Sequence, residues 1–517
     1  MKNRAELRHI VVVGGGTAGW MSALILADTF AEALAAGRIG ITVLESPTVG
    51  VIGVGEGSTA ALKRFFDSLG IEEAEWMPEC HATFKNGITF DGWSTRPGFG
   101  SYFHQFSSMV DKLTQPVFVA NAQARLRGVD APALPDDYFL SHTLVRRKLA
   151  PHAAESFPFT VTYGYHFDAV LLGRFLHRKA LERGVRHRLC HVAHASCHAD
   201  GDVAAVHLDD GSAVHADVFV DCSGFAALLI DKTLHTPFHS YARVLHNDAA
   251  VALPTPLDGP VTPHTVSTAM RCGWAWKIPL TSRHGNGYVY STSHCSADQA
   301  EHELRARLGL LDADVAARHL KMKIGRVEQH WRANVVAVGL SQGFLEPLEA
   351  TALYLTQTTI ALFAIFLDNG DYGPTARKAY NDEINGFFDG HRDYIVAHFK
   401  TNTRTDTAYW RDNAGGLDLI SDSLKRIFET WLQAGDLGAE ITRQDLERYY
   451  PIGSWYALLA GMGMFPTPSP LGAPEAQGYA RQRAEMGEFL RRCALNFRDQ
   501  GEVLAGFRAA HALGAAA

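Results

Sequence analysis

Cysteine is scarce in this chain. Seven residues (Cys80, Cys190, Cys197, Cys222, Cys272, Cys295 and Cys493) are scattered over 517 positions. They are odd in number and show no disulfide framework. There is no basic block either. Lysine and arginine number 48 against 55 acidic residues, for a net charge of −7, and both signs are mixed along the chain, which argues against a nucleic-acid partner. Long apolar runs are absent. The most apolar helical stretch, Ile360–Leu367, is far short of the ~20 residues of a membrane span, so no membrane partner is expected. The first strand pattern begins at residue 9, which leaves no room for a signal peptide and makes a reducing cytoplasm the expected location. No internal repeat is visible. Hydrophobic residues, by contrast, make up 47% of the chain, enough for a large core spread over roughly two to four domain-sized units.

The chain is organised around its start. Residues 9–19 read H-I-V-V-V-G-G-G-T-A-G, a branched apolar strand, a glycine turn and the opening of a helix. Gly14, Gly16 and Gly19 hold the G-x-G-x-x-G spacing. The first glycine permits the turn, the second lets backbone approach a pyrophosphate, and the third lets helix pack on strand. The helix N-terminus offers free N–H groups to the phosphates. A second strand, Ile41–Leu44, ends in Glu45, placed for a ribose hydroxyl pair. The interval from Gly14 to Glu45 exceeds the usual ~20 residues, which a long first helix through Ala35 would explain. A dinucleotide site follows from these features together.

After Glu45 comes S-P-T-V-G-V-I-G-V-G-E-G-S-T. Gly50, Gly53, Gly55 and Gly57 make this either a strap over a flat cofactor or an ordinary surface loop. A helix from Thr59 to Leu69 is expected next. Residues 80–165 are rich in aromatics and include Lys85 among apolar neighbours, with His104 and Phe106 in Y-F-H-Q-F. Between 164 and 224 a helix over Asp168–Arg183 leads through hairpins to a buried strand ending at Asp221. Cys190, His191, His194, Cys197 and His198 invite a metal reading. Their alternation reads instead as a hairpin that throws the side chains to opposite faces, so no metal site is assigned. Residues 242–340 alternate like an antiparallel sheet. Within them, G-W-A-W-K-I-P puts Trp274 and Trp276 on one strand face. A buried strand over Val335–Val338 then meets a loop carrying Glu346 and Glu349, with a helix from about Thr351. From about 405 the chain turns helical: Leu424, Ile427, Phe428, Trp431 and Leu432 follow amphipathic spacing. Tyr449 and Tyr450 precede P-I-G-S-W-Y, and a Pro/Gly-rich breaker at 465–474 precedes two final helices.

These motifs together resemble the flavin-dependent halogenases of the tryptophan halogenase family, over nearly the whole chain. W-A-W-K-I-P matches the family's W-x-W-x-I-P signature, and G-L-S-Q-G-F-L-E-P-L-E-A-T is nearly as specific. The resemblance implies an α/β (α+β) fold: a Rossmann-like FAD-binding domain of the flavin monooxygenase type with an antiparallel sheet over 1–404, including the substrate-lining segment 80–165, and a helical substrate-capping region over 405–517. It implies FAD at Gly14, Gly16, Thr17, Ala18, Gly19 and Glu45, with Gly55, Glu56 and Gly57 as the strap and Val192, Leu340 and Leu353 as further contacts. Reduced flavin and O2 would form a C4a-hydroperoxide. A halide held by Thr351 and Ala352 would attack it, and the resulting hypohalous acid would pass through a tunnel to an aromatic substrate. Lys85 matches the family's catalytic lysine and Glu349 its catalytic glutamate. A lysine can hydrogen-bond hypohalous acid or form a haloamine, and a carboxylate can take the ring proton. His104, Phe106, Trp274, Trp276, Tyr449, Tyr450, Trp455 and Tyr456 would line the substrate.

Three positions depart from the family pattern. Ala350 stands where serine is usual. Ala352 stands where glycine is usual, which favours bromide over chloride. Tyr456 stands where free-tryptophan enzymes carry a glutamate for the amino group. An indole-like substrate without the amino-acid head is therefore expected. A single dinucleotide fingerprint points to a separate flavin reductase. No periodic seam demands a second copy, and a homodimer stays open. The competing readings are a flavin monooxygenase on the same fold, or a flavoprotein that binds without turnover. W-x-W-x-I-P and E-P-L-E argue against the first, and Lys85 with Glu349 against the second.

Overall fold

The structure, a computed structural model, describes residues 7–50 and 55–516. The valine-rich segment at the start forms the strand His9–Val13, central in a six-stranded sheet. Gly40–Glu45 and Arg186–Leu189 lie to one side; Val218–Asp221, Val335–Ala337 and Trp331–Arg332 lie to the other. All pairs are parallel except the last. Ile10, Val12, Val43, Val220 and Val336 are fully buried, as expected of strands covered on both faces. The helices Thr17–Thr29 and Ala169–Glu182 pack together, and Asp168 caps the second by accepting from the N–H groups of Val170 and Leu171.

The expected long first helix is interrupted. Thr17–Thr29 ends at Phe30, whose φ of −107° and ψ of 25° are not helical, and a short helix, Ala31–Ala35, follows. Thr29 Oγ1 bonds back to Ile25 O, and the Phe30 ring is 3% exposed. Burying that ring breaks the helix axis. The helix expected over 59–69 spans Ala61–Ser68.

A second, seven-stranded sheet runs in the order Arg318–Lys321, Ala249–Thr255, His284–Tyr290, Gly273–Pro279, Thr265–Met270, Gly87–Asp91, Ser101–Gln105. It is antiparallel apart from one parallel pair, Thr265–Met270 with Gly87–Asp91. Packed on this second sheet is a three-stranded sheet in which Gly164–Asp168 pairs with Gly55–Gly57 on one side and Thr83–Lys85 on the other.

The helix expected from about Thr351 is present, and the mainly helical part of the chain begins before residue 405. Ala352–Asp368 packs on Thr17–Thr29, and the 27-residue helix Pro374–Lys400 follows it. The second of these carries charged residues all along its first half, which hides its apolar face. One continuous core joins Ile10 and Trp20 of the first sheet layer to Trp410, Trp431 and Trp455 of the later helices. Among the described residues, no helix is long and apolar enough to cross a membrane.

Candidate active site

At the end of His9–Val13 the chain must turn sharply. Gly14 has φ +120°, and a Cβ there would lie 2.2 Å from Cys222 O. A Cβ at Gly19 would lie 1.9 Å from Gly14 O. Gly16, with nothing within 4 Å of that position, leaves its approach open. It caps Thr17–Thr29, whose first turn has no side-chain cap and no acidic residue. The N–H groups of Thr17, Ala18 and Gly19 at this terminus suit a pyrophosphate. Glu45 ends the neighbouring strand, 28% exposed, with Oε2 at 2.8 Å from His187 Nε2. Val192 opens the strand Val192–Cys197, two residues after Cys190, whose N–H bonds Glu45 O. Leu340 lies in the turn Gly339–Ser341. That turn comes close to the fingerprint: a Cβ on Gly339, where φ is +75°, would be 2.7 Å from Ala18 Cβ. These groups fit a dinucleotide such as FAD, and they converge from four strand ends of one sheet.

The strap residues Gly55, Glu56 and Gly57 form a strand, so part of the segment is regular structure and no longer merely a loop. Gly53 lies outside the described residues. A Cβ on Gly55 would lie 3.3 Å from Gly285 Cα and 3.5 Å from Ile278 Cγ2, so the strap crosses the W-A-W-K-I-P strand. The Glu56 carboxyl is pushed up to about 7 by burial and by Asp168. Gly57 sits opposite His166, which is also opposite Thr83. A Cβ on Gly57 would lie 3.4 Å from Lys85 Nζ. One small sheet therefore carries the strap and Lys85 on its two outer strands, either side of Gly164–Asp168.

Lys85 is 1% exposed. Burial pushes its ammonium down to about 8, against the pull of Glu349. Its Nζ is 5.4 Å from the Phe106 ring centre. Glu349 ends a turn over Pro347–Glu349, and Ala350 follows it in the left-handed region at φ +56°. This kink aims the Glu349 carboxylate inward at 4% exposure. Burial would raise it, but His104, His398 and Lys85 outweigh that and hold it below the ordinary range. Thr351 caps the helix Ala352–Asp368. It is 2% exposed, and its Oγ1 has no partner. With Ala352 and Leu353 in the first turn, this terminus suits a small anion.

His104 donates from Nε2 to Tyr394 Oη at 2.7 Å, and Tyr394 donates on to Ser454 O at 2.9 Å. Tyr450 stacks on Tyr394 at 3.6 Å between ring centres, and Trp455 meets it edge-on at 4.8 Å. Trp274 and Trp276 share a strand face with ring centres 6.2 Å apart. Near Trp274, the fully buried Glu346 accepts from Asn247 Nδ2 at 2.6 Å, and burial pushes its carboxyl up to about 8. Two of the residues named from sequence stand apart from this group. Tyr449 packs further back along the long helix, where a Cβ on Gly390 would meet its ring at 2.2 Å and the Phe387 ring lies 5.4 Å away. Tyr456 is one position past Trp455 and so faces elsewhere: its hydroxyl accepts from Gln123 Nε2 at 3.0 Å, and its ring packs on Trp431.

Sequence reasoning missed Tyr394 and His398. His398 Nε2 is 3.0 Å from Glu349 Oε1. The two residues are four apart in the helix Pro374–Lys400, the spacing of one helical face, and that spacing in H-R-D-Y-I-V-A-H was the available signal.

Geometry of this kind defines a class: a dinucleotide-binding α/β enzyme in which a strap joins the nucleotide end to a buried amine and carboxylate. Comparison with known proteins narrows it. Residues 9–476 match the family model described as tryptophan halogenase, and the chain belongs to that family and is a flavin-dependent halogenase acting on an aromatic substrate. It is 36% identical over 496 residues to the tryptophan 6-halogenase SttH of Streptomyces toxytricini, covering 89% of this chain and 91% of that one. It is also 36% identical over 491 residues to the 7-chloro-L-tryptophan 6-halogenase KtzR of Kutzneria sp. (strain 744), with coverage of 89% and 91%. Among solved structures, SttH superposes with a TM-score of 0.82 over 96% of this chain and 99% of that one, at 34% identity. Xcc4156, a flavin-dependent halogenase from Xanthomonas campestris, gives 0.82 over 97% and 98%, at 31% identity.

Proposed function

We propose that the protein halogenates an electron-rich, indole-like ring lacking an amino-acid head, using hypohalous acid made on one side of the strap and consumed at Lys85 on the other. The observation that carries this reading is the approach of Gly57 to Lys85 Nζ, 3.4 Å from the Cβ position. Reduced FAD, delivered by a separate reductase and bound at the fingerprint, supplies with O2 the oxidising power that turns halide into hypohalous acid. The backbone N–H groups at Thr351 and Ala352 hold the halide, and the methyl of Ala352 suits bromide. Lys85 receives hypohalous acid by donating an N–H to its oxygen, which fixes the point from which halogen is delivered. His104, Phe106 and Trp455 bound the ring, while Trp274 and Trp276 separate it from the flavin side. As the C–X bond forms and the O–X bond breaks, a Lys85 proton passes to the departing hydroxyl, giving water. The ring proton goes to Glu349, the C–H electron pair returns to the ring, and the proton then returns to Lys85.

Tyr456 offers no carboxylate and turns away from the ring site toward Gln123 and Trp431, so this position supplies no partner for a substrate ammonium, which supports the substrate class. The test is competition between indole and free L-tryptophan in one reductase-coupled mixture with bromide. Bromoindole is expected to dominate. Equal use of tryptophan contradicts the substrate class and leaves halogenation standing.

A further inference from the structure

His166 stands on the middle strand of the small sheet, in register with Gly57 on one side and Thr83 on the other. It is fully buried, and both ring nitrogens have partners. Nδ1 is 3.1 Å from Thr83 Oγ1, and Nε2 is 2.9 Å from Thr265 Oγ1. Which nitrogen carries hydrogen follows from Thr83. A threonine hydroxyl has one hydrogen, and Thr83 donates it to Pro279 O at 2.7 Å. A carbonyl can only accept. Thr83 Oγ1 therefore meets Nδ1 as an acceptor, and Nδ1 carries the hydrogen. The other tautomer would either turn two lone pairs on each other or take the Thr83 hydrogen from Pro279 O, inside the core in both cases. Nε2 is then left to accept from the Thr265 hydroxyl. A second ring proton would bury a cation, which burial opposes first and Lys85 and His264 after it.

Three bonds therefore run one way: Thr265 donates to His166, His166 to Thr83, and Thr83 to Pro279. The chain starts on the strand Thr265–Met270, crosses the small sheet and ends on the last residue of the W-A-W-K-I-P strand. Thr83 opens the strand that carries Lys85 two residues on, and side chains two apart share a face. The strap meets the same ring. A Cβ on Gly57 would lie 3.6 Å from His166 Cδ2, beside its 3.4 Å approach to Lys85 Nζ. One imidazole thus touches the strap and bonds both the lysine strand and its neighbour sheet.

We propose that His166, with its hydrogen on Nδ1, is a positioning residue for halogen delivery: it ties the strand of Lys85 to the W-A-W-K-I-P strand, against the strap, so that Lys85 Nζ meets hypohalous acid at one fixed point. This rests on the reading of Lys85 given above. His166 acts through Lys85 and gives up no proton.

The test uses the full-length, FAD-loaded protein with a flavin reductase, NADH, bromide, indole and a trap for hypobromous acid. Thr83→Val keeps the shape of the side chain and removes the hydroxyl in the middle of the chain of bonds. His166→Leu removes the ring. In each folded variant, kcat for bromoindole is expected to fall, by up to about 10²-fold for a displacement of about 1 Å at the reacting group, with KM little changed. Bromide oxidised per NADH should hold, so that the missing bromoindole appears as trapped hypobromous acid. Thr83→Ser, which retains the hydroxyl, should keep the wild-type partition. The double variant should lose little more than the worse single one, because both break one chain. A purely structural role would lower both products together. An unchanged partition in folded Thr83→Val or His166→Leu, a parallel fall in both products, or additive losses overturn the proposal.

Two further measurements need no substrate. The nitrogen-15 spectrum of histidine-labelled protein, with His166 assigned from the variant spectra, should show hydrogen on Nδ1 and none on Nε2 from about pH 6 to about pH 8, the range in which a free imidazole loses its proton. Hydrogen on Nε2 overturns the proposal. With lysine labelled instead, Lys85 should titrate at about 8 in the wild type and in Thr83→Ser, and move toward 10.5 in Thr83→Val as its strand loosens. An unmoved midpoint in Thr83→Val overturns it as well. If the wild type forms hypobromous acid but leaves indole unbrominated, the substrate reading has failed, and these two spectra decide on His166.

Discussion

At Lys85, function and stability pull in opposite directions. The ammonium is buried to 1% exposure and drops from 10.5 to about 8, which at about 1.4 kcal/mol per tenfold is a destabilisation of roughly 3 kcal/mol. The unfolded chain binds more protons than the folded one between these values, so this penalty is fully present below pH 8 and is relieved as pH rises toward 10.5. Lys85→Met should therefore stabilise the protein by about 3 kcal/mol at neutral pH, shrinking to nothing above the ordinary lysine range, as denaturant unfolding at several pH values would show. The same variant should lose halogenation. Wild-type halogenation should fall above pH 8, as Lys85 loses the proton that it gives to the departing hydroxyl.

Between elements, what matters is how close backbones approach. Gly57→Ala places a methyl group against Lys85 Nζ. It should lower halogenation by more than it lowers flavin affinity, as an activity assay beside a flavin fluorescence titration would report. Gly339→Ala should do the reverse. Its φ of +75° and its contact with Ala18 cost about 1–2 kcal/mol or more, so FAD binding should weaken roughly tenfold or more. Tyr394→Phe leaves the His104 N–H without its acceptor, a loss of about 1–3 kcal/mol for a buried donor, seen as a lower Tm and a raised KM for the ring.

The sequence reveals these elements unevenly. The glycine fingerprint and Glu45 were readable from backbone geometry and spacing, whereas Lys85 and Glu349 were named through the family resemblance, because a lone lysine or glutamate carries no sign in the sequence of being buried. The small sheet joining Gly55–Gly57 to Thr83–Lys85 was not, because its middle strand, Gly164–Asp168, comes from about 80 residues further along. The helix Pro374–Lys400 was hidden by charges distributed along it, and His398 with it. Tyr456 was recognisable as a departure, but which way its side chain turns is set by Gln123 and Trp431, from two other helices.

Across the whole molecule, the last helix braces the strand that holds the lysine. Gln500–Ala516 sets Phe507 6.3 Å from Phe84 and 5.7 Å from His152, and Gln500 ties to Lys148 O and Val261 O. Removing residues 500–517 uncovers Phe84, the neighbour of Lys85. Stability should fall by at least about 2–3 kcal/mol, the worth of one buried aromatic side chain, and halogenation should fall with it. In the proposed function, halide is oxidised on one side of the strap and halogen is delivered by Lys85 on the other. The most direct test is mass spectrometry on wild type and Lys85→Ala, each with FAD, a flavin reductase, NADH, O2, bromide and indole, alongside a trap for free hypobromous acid. The account predicts a bromine isotope doublet on indole from the wild type, none from the variant, and hypobromous acid from both. A variant that brominates indole as well as the wild type, or a wild type that yields only hydroxylated indole, would contradict it.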